Sequence, residues 1–506
     1  METERQEAAS LERRVAPIEI EPDQWREMGH QLVDRIADWM REMPGGPVTP
    51  GESPREVREA LGAQASLPIS GDDPGRLLEA AASFLFDHSL FIGHPRFYGF
   101  ITSSPAPIGA LADLLAASVN PNVGGYNLSP AATEIERQTV RWIAELLGYP
   151  PECGGVLVSG GNMANFVGFL AARRAKAPWD VRSQGIAAGE KKLRVYTSAE
   201  THTWVQKAAD LFGLGTDSIR WIGTGTDLRM DTAALRSRIE ADRAAGDLPF
   251  IVIGAAGTVS TGAIDPLPEI AAIAREHDLW FHVDGAYGGF AAALPDAPAD
   301  LKGLSLADSV AVDPHKWLYA PLEAGCVLVR DPRALHDTFT FHPPYYHMEE
   351  YDEEPAVNFH EWGPQNSRGF RALKVWLALK QVGREGYERM LSDDISLARK
   401  MFDYVGQEPE LEPLTCALSI ATFRYVPSDV TPGTPEGEDY LNRLNSELCE
   451  HMQTGGEAFV SNAVIDGKFA LRACIVNFRT SSSDVRALPG TVVRAGRALH
   501  QQMQGR

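Results

Sequence analysis

Lys316 is a candidate catalytic residue because it lies shortly after an apolar run. The stretch SVAVDPHKWLYAP, residues 309–321, passes from Val310-Ala311-Val312 into Asp-Pro-His-Lys-Trp. Lysine is strongly hydrated and is rarely buried without a partner. Taken alone, Lys316 is explained by a chain that reaches the surface and leaves the ammonium group in water. Residues elsewhere in the sequence favour a different explanation.

Three further apolar runs end in groups that could bind a ligand. Asp284 closes the run in LWFHVDGAYGG, and a buried carboxylate needs a cation or strong hydrogen-bond donors. Gly160, Gly161 and Asn162 follow the run VLVS and open a helix, whose N-terminus attracts anions. His202 follows the run in LRVYTSAETHTW. Taken alone, these are a turn aspartate, an ordinary strand-to-helix turn and a structural histidine.

Together, these groups predict a single ligand. It would offer a phosphate to the glycines, a basic ring nitrogen to Asp284 and an aldehyde to Lys316. Pyridoxal phosphate (PLP) has all three groups. A lysine forms its Schiff base, and an acid keeps its ring nitrogen protonated so that the ring accepts electrons. No nucleotide-binding pattern of the type GxGxxG or GxxxxGK[ST] occurs near the glycines.

These residues require a sheet that brings several strand ends together. Seven short apolar runs alternate with helical stretches, which predicts a mostly parallel sheet with crossover helices. Parallel sheets are covered on both faces and bind ligands at the carboxyl ends of their strands. The last two runs are too close for a helical crossover, so one strand is expected to be antiparallel. The predicted strands are 155–159, 193–198, 218–223, 250–256, 279–284, 309–313 and 325–330.

The sequence on either side of this sheet predicts two further regions. Apolar residues fall on one helical stripe between Gln24 and Met43, and a second helix is expected over 74–92. After about residue 380, strands are predicted in CALSIATFRYV and KFALRACIVNFRT, with a surface loop over 426–439. We therefore predict an N-terminal helical arm (1–92), a large ligand-binding domain (93–380) and a small C-terminal α+β domain (381–506).

Composition argues against several classes of protein. The 506 residues carry a formal net charge of −21, which disfavours nucleic acid and anionic membranes as partners. No apolar run approaches the ~20 residues that span a bilayer, and the charged N-terminus lacks the apolar core of a signal peptide. The five cysteines are scattered and form no CxxC pair, which disfavours a zinc ribbon or a disulfide framework. We expect a soluble cytoplasmic enzyme that acts on a small molecule.

The sequence resembles the PLP-dependent group II amino-acid decarboxylases, and most closely the aromatic L-amino-acid decarboxylases. The resemblance runs from about residue 20 to 500 and is most specific in the pair HVDGAYGG and DPHKW. It implies PLP fold type I, decarboxylation of an L-amino acid to the amine and carbon dioxide, and an obligate homodimer. In that dimer, residues 20–90 would wrap the partner, and each active site would borrow residues near Gly124. Further matching stretches are HPRFYGFITSSP, LSPAATEIE, SGGNMAN, SRGFRALKVW and LRACIVNFRT.

The resemblance also implies a role for each matching residue. Lys316 would form the Schiff base, Asp284 would pair with the pyridine nitrogen, and Ala286 would pack on the ring. His202 would stack on the ring and contact the substrate carboxylate, and Thr258 would support Asp284. The phosphate would be held by Gly160, Gly161, Asn162 and His315.

A tyrosine on a mobile loop would deliver the proton that replaces the carboxylate at Cα. The matching residue is Tyr345, in the Pro-rich and then acidic stretch FTFHPPYYHMEEYDEEP. Related aldehyde synthases carry phenylalanine at this position, or asparagine in place of the stacking histidine. Because Tyr345 and His202 are both present, simple decarboxylation is favoured over decarboxylation with oxidative deamination.

The substrate pocket is the least determined part of the predicted site. Phe100 and Ile101 are apolar, and no arginine is evident that would grip a distal carboxylate, which disfavours glutamate or aspartate as substrate. Gly124 stands where the animal enzymes have a phenylalanine, so the pocket would be wider or filled differently, whereas Ser367 weakly favours a phenolic substrate. Asp313 replaces an asparagine that helps to bind phosphate, where an acid is unfavourable. The predicted pocket residues are Phe100, Ile101, Thr102, Ser103, Gly124 and Ser367.

Other functions stay open at this point. One alternative is a decarboxylase of acidic or other amino acids, or an aromatic aldehyde synthase, on the same fold. A distant alternative is a metal-dependent hydrolase that uses His336, His342 and His347. Their spacing in a Pro-containing loop suits a metal poorly, so we predict no metal.

Overall fold

The computed structural model describes Glu12, residues 16–341 and residues 356–505. The chain divides into two compact units. One unit runs to Phe91 and includes Thr454–Gly456, and the other comprises Ile92–Gln453 and Glu457–Arg506.

The first unit is helical, as the sequence predicts. Its helices are α1 (Pro22–Glu42), α2 (Pro54–Leu61) and α3 (Pro74–His88), with a 3-10 turn at Met43–Gly45. The apolar stripe of α1 packs within this unit, where Trp39 stacks on Phe86 with 5.3 Å between ring centroids and meets Phe91 edge-on at 5.7 Å. Helix α2 was not predicted. It begins after Ser53, which forms a capping box with Glu56.

The second unit is built on a seven-stranded sheet. Its strands are β1 (Gly154–Val158), β2 (Leu193–Ser198), β3 (Ile219–Ile222), β4 (Leu248–Ala255), β5 (Trp280–Asp284), β6 (Ser309–Val312) and β7 (Gly325–Val329). They lie in the order β1-β7-β6-β5-β4-β2-β3. The pairs β2–β3, β2–β4, β4–β5 and β5–β6 are parallel, whereas β7 is antiparallel to β1 and β6. The seven predicted strands are confirmed, and the antiparallel strand is the one with the short connection from β6.

Both faces of this sheet are buried, which explains why its strands read as continuous apolar runs. Leu157, Val283 and Val312 face one hydrophobic core, while Val158 and Ala311 face the other. The helices of this region are α4 (Pro107–Val119), α5 (Pro130–Leu147), α6 (Gly161–Lys176), α7 (Val181–Gln184), α8 (Trp204–Leu211), α9 (Thr232–Ala244), α10 (Leu267–Glu276), α11 (Pro314–Trp317) and α12 (Arg333–Phe339). Short 3-10 segments lie at Tyr126–Leu128, Ile186–Ala188, Thr216–Ser218, Gly288–Ala293, Ala299–Leu306 and Phe359–Glu361.

A four-stranded antiparallel sheet follows in the chain. Its strands are β8 (Leu411–Ala417), β9 (Ile420–Tyr425), β10 (Ser461–Ile465) and β11 (Lys468–Cys474), in the order β10-β11-β9-β8. Three helices accompany them: α13 (Ala372–Gln407), α14 (Pro435–Thr454) and α15 (Ser482–Gln504). The apolar run near residue 420 is a hairpin that turns after Ala417, and β10 was not predicted. Together with the helical N-terminus and the parallel sheet, this second sheet confirms the predicted fold class.

The domain boundary predicted near residue 380 falls within α13 and stays a prediction. This helix leaves helical geometry at Gly383, where φ is +68°. In the described parts of the chain, no helix combines the length and the apolar character needed to cross a membrane.

Candidate active site

A cavity of about 390 Å³ opens at one edge of the seven-stranded sheet. It lies where β1, β2, β4, β5 and β6 end, because the carboxyl ends of strands that run in one direction meet at one edge. Its volume is within the ~300–1,000 Å³ range of small-molecule sites. The predicted residues that line it are Ile101, Gly160, Gly161, Asn162, His202, Thr258, Asp284, Ala286, His315 and Lys316.

Lys316 lies in the single turn of α11 and points at an acid. Its Nζ is 3.2 Å from Asp313 Oδ2, and the side chain of Asp313 is only 2% exposed. The backbone N–H of Lys316 donates to the Asp313 carbonyl at 2.8 Å, and Ser103 Oγ donates to the His315 carbonyl at 2.8 Å. Asp313 Oδ1 is buried and has no hydrogen-bond partner among the described residues. Asp313 is therefore the counter-ion of Lys316 in this chain, although one of its oxygens can still accept a donor.

Asp284 ends β5 with its carboxylate at the cavity. Oδ2 accepts a hydrogen bond from Trp204 Nε1 at 2.7 Å, and Oδ1 accepts one from the Ala286 backbone N–H at 3.2 Å. Both donors are neutral, and no described lysine or arginine forms an ion pair with this acid. The acid therefore lacks a cationic partner, which a ligand with a protonated ring nitrogen would supply.

A buried histidine lies behind Asp284 on the same strand. His282 shares hydrogen bonds of 2.7 Å with Ser309 Oγ through Nδ1 and with Asn165 Oδ1 through Nε2. Trp280 Nε1 donates to the same Ser309 oxygen at 2.8 Å. Because Asn165 Oδ1 can only accept, Nε2 of the neutral ring carries the proton, and Nδ1 accepts from the Ser309 hydroxyl. Complete burial lowers the pKa of His282 to about 4. The histidine is neutral at physiological pH, with its ring proton on Nε2.

The start of α6 forms a bare backbone surface at the cavity. Gly160 has φ of +137°, which disfavours any residue with a side chain. A Cβ at Gly161 would lie 2.6 Å from Asp313 Oδ2, so only glycine fits there without rearrangement. Backbone N–H groups at this helix start are open to an anion.

His315 and His202 each present one ring nitrogen as a donor. Nδ1 of His315 accepts from the Ala324 N–H at 3.1 Å, and Nδ1 of His202 accepts from the Trp204 N–H at 3.3 Å. Since Nδ1 is the acceptor in both rings, the proton of each neutral imidazole lies on Nε2. Desolvation lowers the pKa of both residues, against the opposing charges of Asp313 near His315 and Asp284 near His202.

Thr258 lines the cavity, but its hydroxyl makes no hydrogen bond to Asp284. Its Oγ1 shares a 3.1 Å hydrogen bond with Thr261 Oγ1 instead. Any support of Asp284 by Thr258 is therefore indirect.

The structure does not bring all the predicted pocket residues to this cavity. Ile101 lines it, whereas Phe100, Thr102, Ser103, Gly124 and Ser367 do not do so within one chain. A Cβ at Gly124 would lie 2.1 Å from the Asn366 carbonyl oxygen. The backbone of Asn366 thus occupies the space beside Gly124, and the effect of this glycine on the substrate pocket stays a prediction. Tyr345 lies outside the described residues.

Trp204 and His282 were missed by sequence reasoning. Trp204 stands two residues after His202 in the first turn of a helix, where an aromatic residue is usually core. His282 stands two residues before Asp284, and this strand spacing places both side chains on one face of the sheet. That spacing was the one available signal.

The described residues hold no cluster of three or more His, Cys, Asp or Glu side chains suited to a metal ion. His336 lies in the middle of α12 with its side chain 50% exposed, 4.0 Å from a Glu361 oxygen. His342 and His347, the other two residues of the metal alternative, lie outside the described residues.

Comparison with known proteins identifies the family of this chain. The model of the pyridoxal-dependent decarboxylase conserved domain matches residues 54–425. The chain belongs to this decarboxylase family. It is 34% identical to the aromatic-L-amino-acid decarboxylase of Bacillus atrophaeus over 469 residues, covering 92% of this chain and 94% of that protein. It is 30% identical to tyrosine decarboxylase 4 of Petroselinum crispum, covering 92% of each chain.

A solved structure supports the same conclusion for the fold. The crystal structure of Oryza sativa TDC with PLP and tryptamine superposes with a TM-score of 0.88 at 28% identity, covering 96% of this chain and 100% of that chain. This protein is therefore a PLP-dependent amino-acid decarboxylase of fold type I.

The residues of the cavity fit PLP. A lysine amine reaches into the cavity, an aspartate there lacks a cationic partner, and the glycines of α6 leave its first N–H groups uncovered. Asp313 is the one residue of the set that carries the wrong charge for a phosphate neighbour. The ion pair with Lys316 partly compensates the negative charge of Asp313.

Proposed function

We propose that this decarboxylase converts an aromatic L-amino acid to its amine and carbon dioxide. The lining of the cavity carries the proposal. Among the described lining residues, Lys316 is the only lysine or arginine, so these residues offer no further lysine or arginine to hold a second carboxylate of a substrate. Apolar lining surface is provided by Ile101, Met163, Phe166, Val259 and Leu322. The names of the two relatives, an aromatic-L-amino-acid decarboxylase and a tyrosine decarboxylase, support the same substrate class.

The proposed binding roles follow from the donors and charges of the cavity. Lys316 Nζ would bind the cofactor aldehyde, and Asp284 would hold the proton of the ring nitrogen in place. The N–H groups of Gly161 and Asn162, together with Nε2–H of His315, would bind the phosphate. Ala286 leaves room for a flat ring beside Asp284. When bound, PLP supplies a sink for the electrons of the bond that breaks.

His202 would orient the substrate. Its Nε2–H is free to donate because Nδ1 already accepts from the Trp204 N–H. A donor to the substrate carboxylate fixes the bond that must lie perpendicular to the cofactor ring, and orientation of this kind selects which bond breaks. Tyr345 is proposed to return a proton to Cα, which would yield the amine rather than an aldehyde.

We also propose a homodimer with active sites at the interface. Four large apolar side chains on α4 are 48–68% exposed in the single chain: Leu111, Leu114, Leu115 and Val119. They follow the spacing of one helix face, and an exposed apolar patch of this kind commonly marks a protein interface. A second copy of this chain is the occupant that the family resemblance implies.

The proposed compartment is the cytoplasm. All five cysteines are unpaired, and a reducing compartment keeps such thiols in that state.

A substrate panel tests the proposed activity. Purified enzyme with PLP is offered Tyr, Dopa, Trp, 5-hydroxytryptophan, Phe, His, Glu and Asp, and carbon dioxide and amine are measured for each. We expect release of both products in equal amounts with at least one aromatic substrate, and no release with Glu or Asp. Lys316→Ala is the inactive control. Hydrogen peroxide and ammonia in place of the amine would identify an aldehyde synthase, and preferred turnover of Glu or Asp would overturn the aromatic assignment.

A further inference from the structure

We propose that Trp204 is a positioning residue that sets the orientation of Asp284. The indole Nε1–H donates to Asp284 Oδ2 at 2.7 Å, the shortest hydrogen bond that this carboxylate makes within the described chain. The inference rests on the proposed pairing of Asp284 with the cofactor ring nitrogen. It adds a residue that lines the cavity and would act on the cofactor through Asp284.

The indole is held so that its N–H points in one direction. Trp204 is completely buried at the first residue of α8. Its ring meets His282 edge-on at 5.8 Å and Phe169 edge-on at 6.4 Å, measured between ring centroids. His282 is itself fixed by Ser309 and Asn165. Rotation of the indole would disrupt several packed rings, so the donor is pre-oriented.

A neutral donor has a specific effect on a carboxylate. An arginine in this place would neutralise Asp284 and remove its attraction for a protonated ring nitrogen. The indole N–H carries no net charge and does not titrate in the physiological range, so the carboxylate keeps its negative charge. The donor therefore holds Asp284 in place without competing as a cation with a protonated ring nitrogen.

The geometry of the carboxylate is fixed by the same contacts. Oδ2 is held by Trp204 and Oδ1 by the Ala286 N–H, so the plane of the group cannot turn freely. Each oxygen retains acceptor capacity for a further donor. Loss of the indole donor would release one of the two oxygens and leave the acid free to turn away from the ring nitrogen.

Cofactor binding to the apo-protein tests this inference without measuring turnover. Dissociation constants are measured for PLP and for its 1-deaza analogue, in which a C–H replaces the ring nitrogen. The ratio of the two constants reports the interaction with that nitrogen alone. We expect the wild-type protein to prefer PLP and Trp204→Phe to reduce that preference about tenfold, as for the loss of a hydrogen bond to a charged group.

Trp280→Phe is the matched control. It removes an indole donor and the same number of atoms from the same core, but its partner is Ser309 and not Asp284. We expect this variant to keep the wild-type preference for PLP. If Trp204→Phe does not fold, benzothienylalanine introduced at position 204 preserves the shape of the ring and lacks only the N–H, and the same loss of preference is expected.

The outcomes separate this inference from the proposed function. Equal weakening of both ligands by Trp204→Phe or by benzothienylalanine shows a packing role and overturns the inference. A wild-type protein that binds both ligands equally, with no change of the ratio in Asp284→Ala, overturns the proposed role of Asp284 instead.

Discussion

Lys316 and Asp313 form a close pair, and the proposed role of Lys316 would require the charge of this pair to change. The amine pairs with Asp313 as an ammonium, whereas attack on an aldehyde requires the neutral amine. If Lys316 holds the cofactor aldehyde as proposed, its side chain would no longer carry a buried positive charge, whereas Asp313 would keep its negative charge. His315 Nε2 lies 3.7 Å from Asp313 Oδ2, close enough for an electrostatic contact but not for a hydrogen bond. Asp313 therefore links the lysine to the predicted phosphate site.

The pair predicts a stability effect in the apo-protein. Lys316→Met leaves Asp313 buried without its cation and should lower the free energy of unfolding by about 1–3 kcal/mol. Lys316→Met/Asp313→Asn removes the stranded charge and should recover most of that loss. Urea unfolding of the apo-proteins measures both effects. Equal stability of the single and double variants would show that the 3.2 Å contact contributes nothing.

His282 predicts a pH dependence with a defined sign. Its pKa falls from the ordinary 6.5 to about 4 in the folded protein, so below pH 6.5 the unfolded chain binds a proton that the folded chain does not. The free energy of unfolding therefore decreases as pH falls from 6.5 to 4, by roughly 3 kcal/mol at most from this residue.

Chemical unfolding at several pH values checks this contribution. His282→Gln should lose that part of the acid sensitivity, because glutamine can hydrogen-bond to Ser309 and Asn165 but does not titrate. A wild-type pH dependence in His282→Gln would contradict the assignment.

Residue type decided which members of the site could be predicted from the sequence. The ends of the apolar runs carry a lysine, an aspartate and paired glycines. Charged side chains are unfavourable in a buried position, so their presence there indicated a site. Trp204 and His282 give no such conflict, because buried aromatic rings are ordinary core residues. The role of Asp313 depends on a 3.2 Å distance to Lys316 that only the folded turn defines.

At the scale of elements, helix α13 is tied to the turn that follows Lys316. Trp317 Nε1 and the Tyr319 hydroxyl both donate to Asp394 Oδ2, at 2.9 and 2.5 Å. The Tyr387 hydroxyl donates to the Leu318 carbonyl at 3.1 Å. Burial raises the pKa of Asp394 to about 7. The lysine turn is therefore positioned by the helix that leads into the small antiparallel sheet.

Asp394→Ala should destabilise the protein by about 2–3 kcal/mol, since two buried donors lose their acceptor. Asp394→Asn is the matched control, because its carbonyl oxygen still accepts from both donors. We also expect a several-fold lower kcat in the alanine variant, with the KM less affected. Thermal unfolding and steady-state kinetics measure these effects. An alanine variant as stable as the asparagine variant would contradict this role.

The pH dependence of Asp394 runs opposite to that of His282. Between about pH 4 and 7 the folded chain holds a proton that the unfolded chain releases, so the free energy of unfolding decreases as pH rises through this range. Asp394→Asn should lack that decrease. An unchanged slope in the asparagine variant would show that the carboxyl titrates normally.

Elements with both faces buried were predictable, and those with one exposed face were less so. The seven strands of the large sheet are continuous apolar runs, which is why their positions were predicted. Strand β10 alternates buried and exposed residues over only five positions, so its apolar signal is weak. Helix α2 has no buried residue, and the prolines near its start indicated a break in the chain rather than a helix.

At the scale of the whole molecule, the exposed face of α4 predicts the oligomeric state. Leu115→Asp places a charge on a surface that we expect a second copy to cover, and it should shift the protein towards monomer. Activity should fall with it if the active sites lie at the interface. Leu211→Asp, at a position that is 67% exposed on α8, is the control. Sedimentation at several protein concentrations gives the result, and an unchanged dimer in Leu115→Asp would place the interface elsewhere.

The contact between Gly124 and Asn366 has a consequence for engineering. We expect a library that randomises position 124 to yield few folded variants other than glycine. A Cβ at this position would lie 2.1 Å from the Asn366 carbonyl oxygen. Productive diversity would require a simultaneous change in the 366–368 backbone. Ile101, which lines the cavity itself, is the better position to vary in directed evolution of this enzyme.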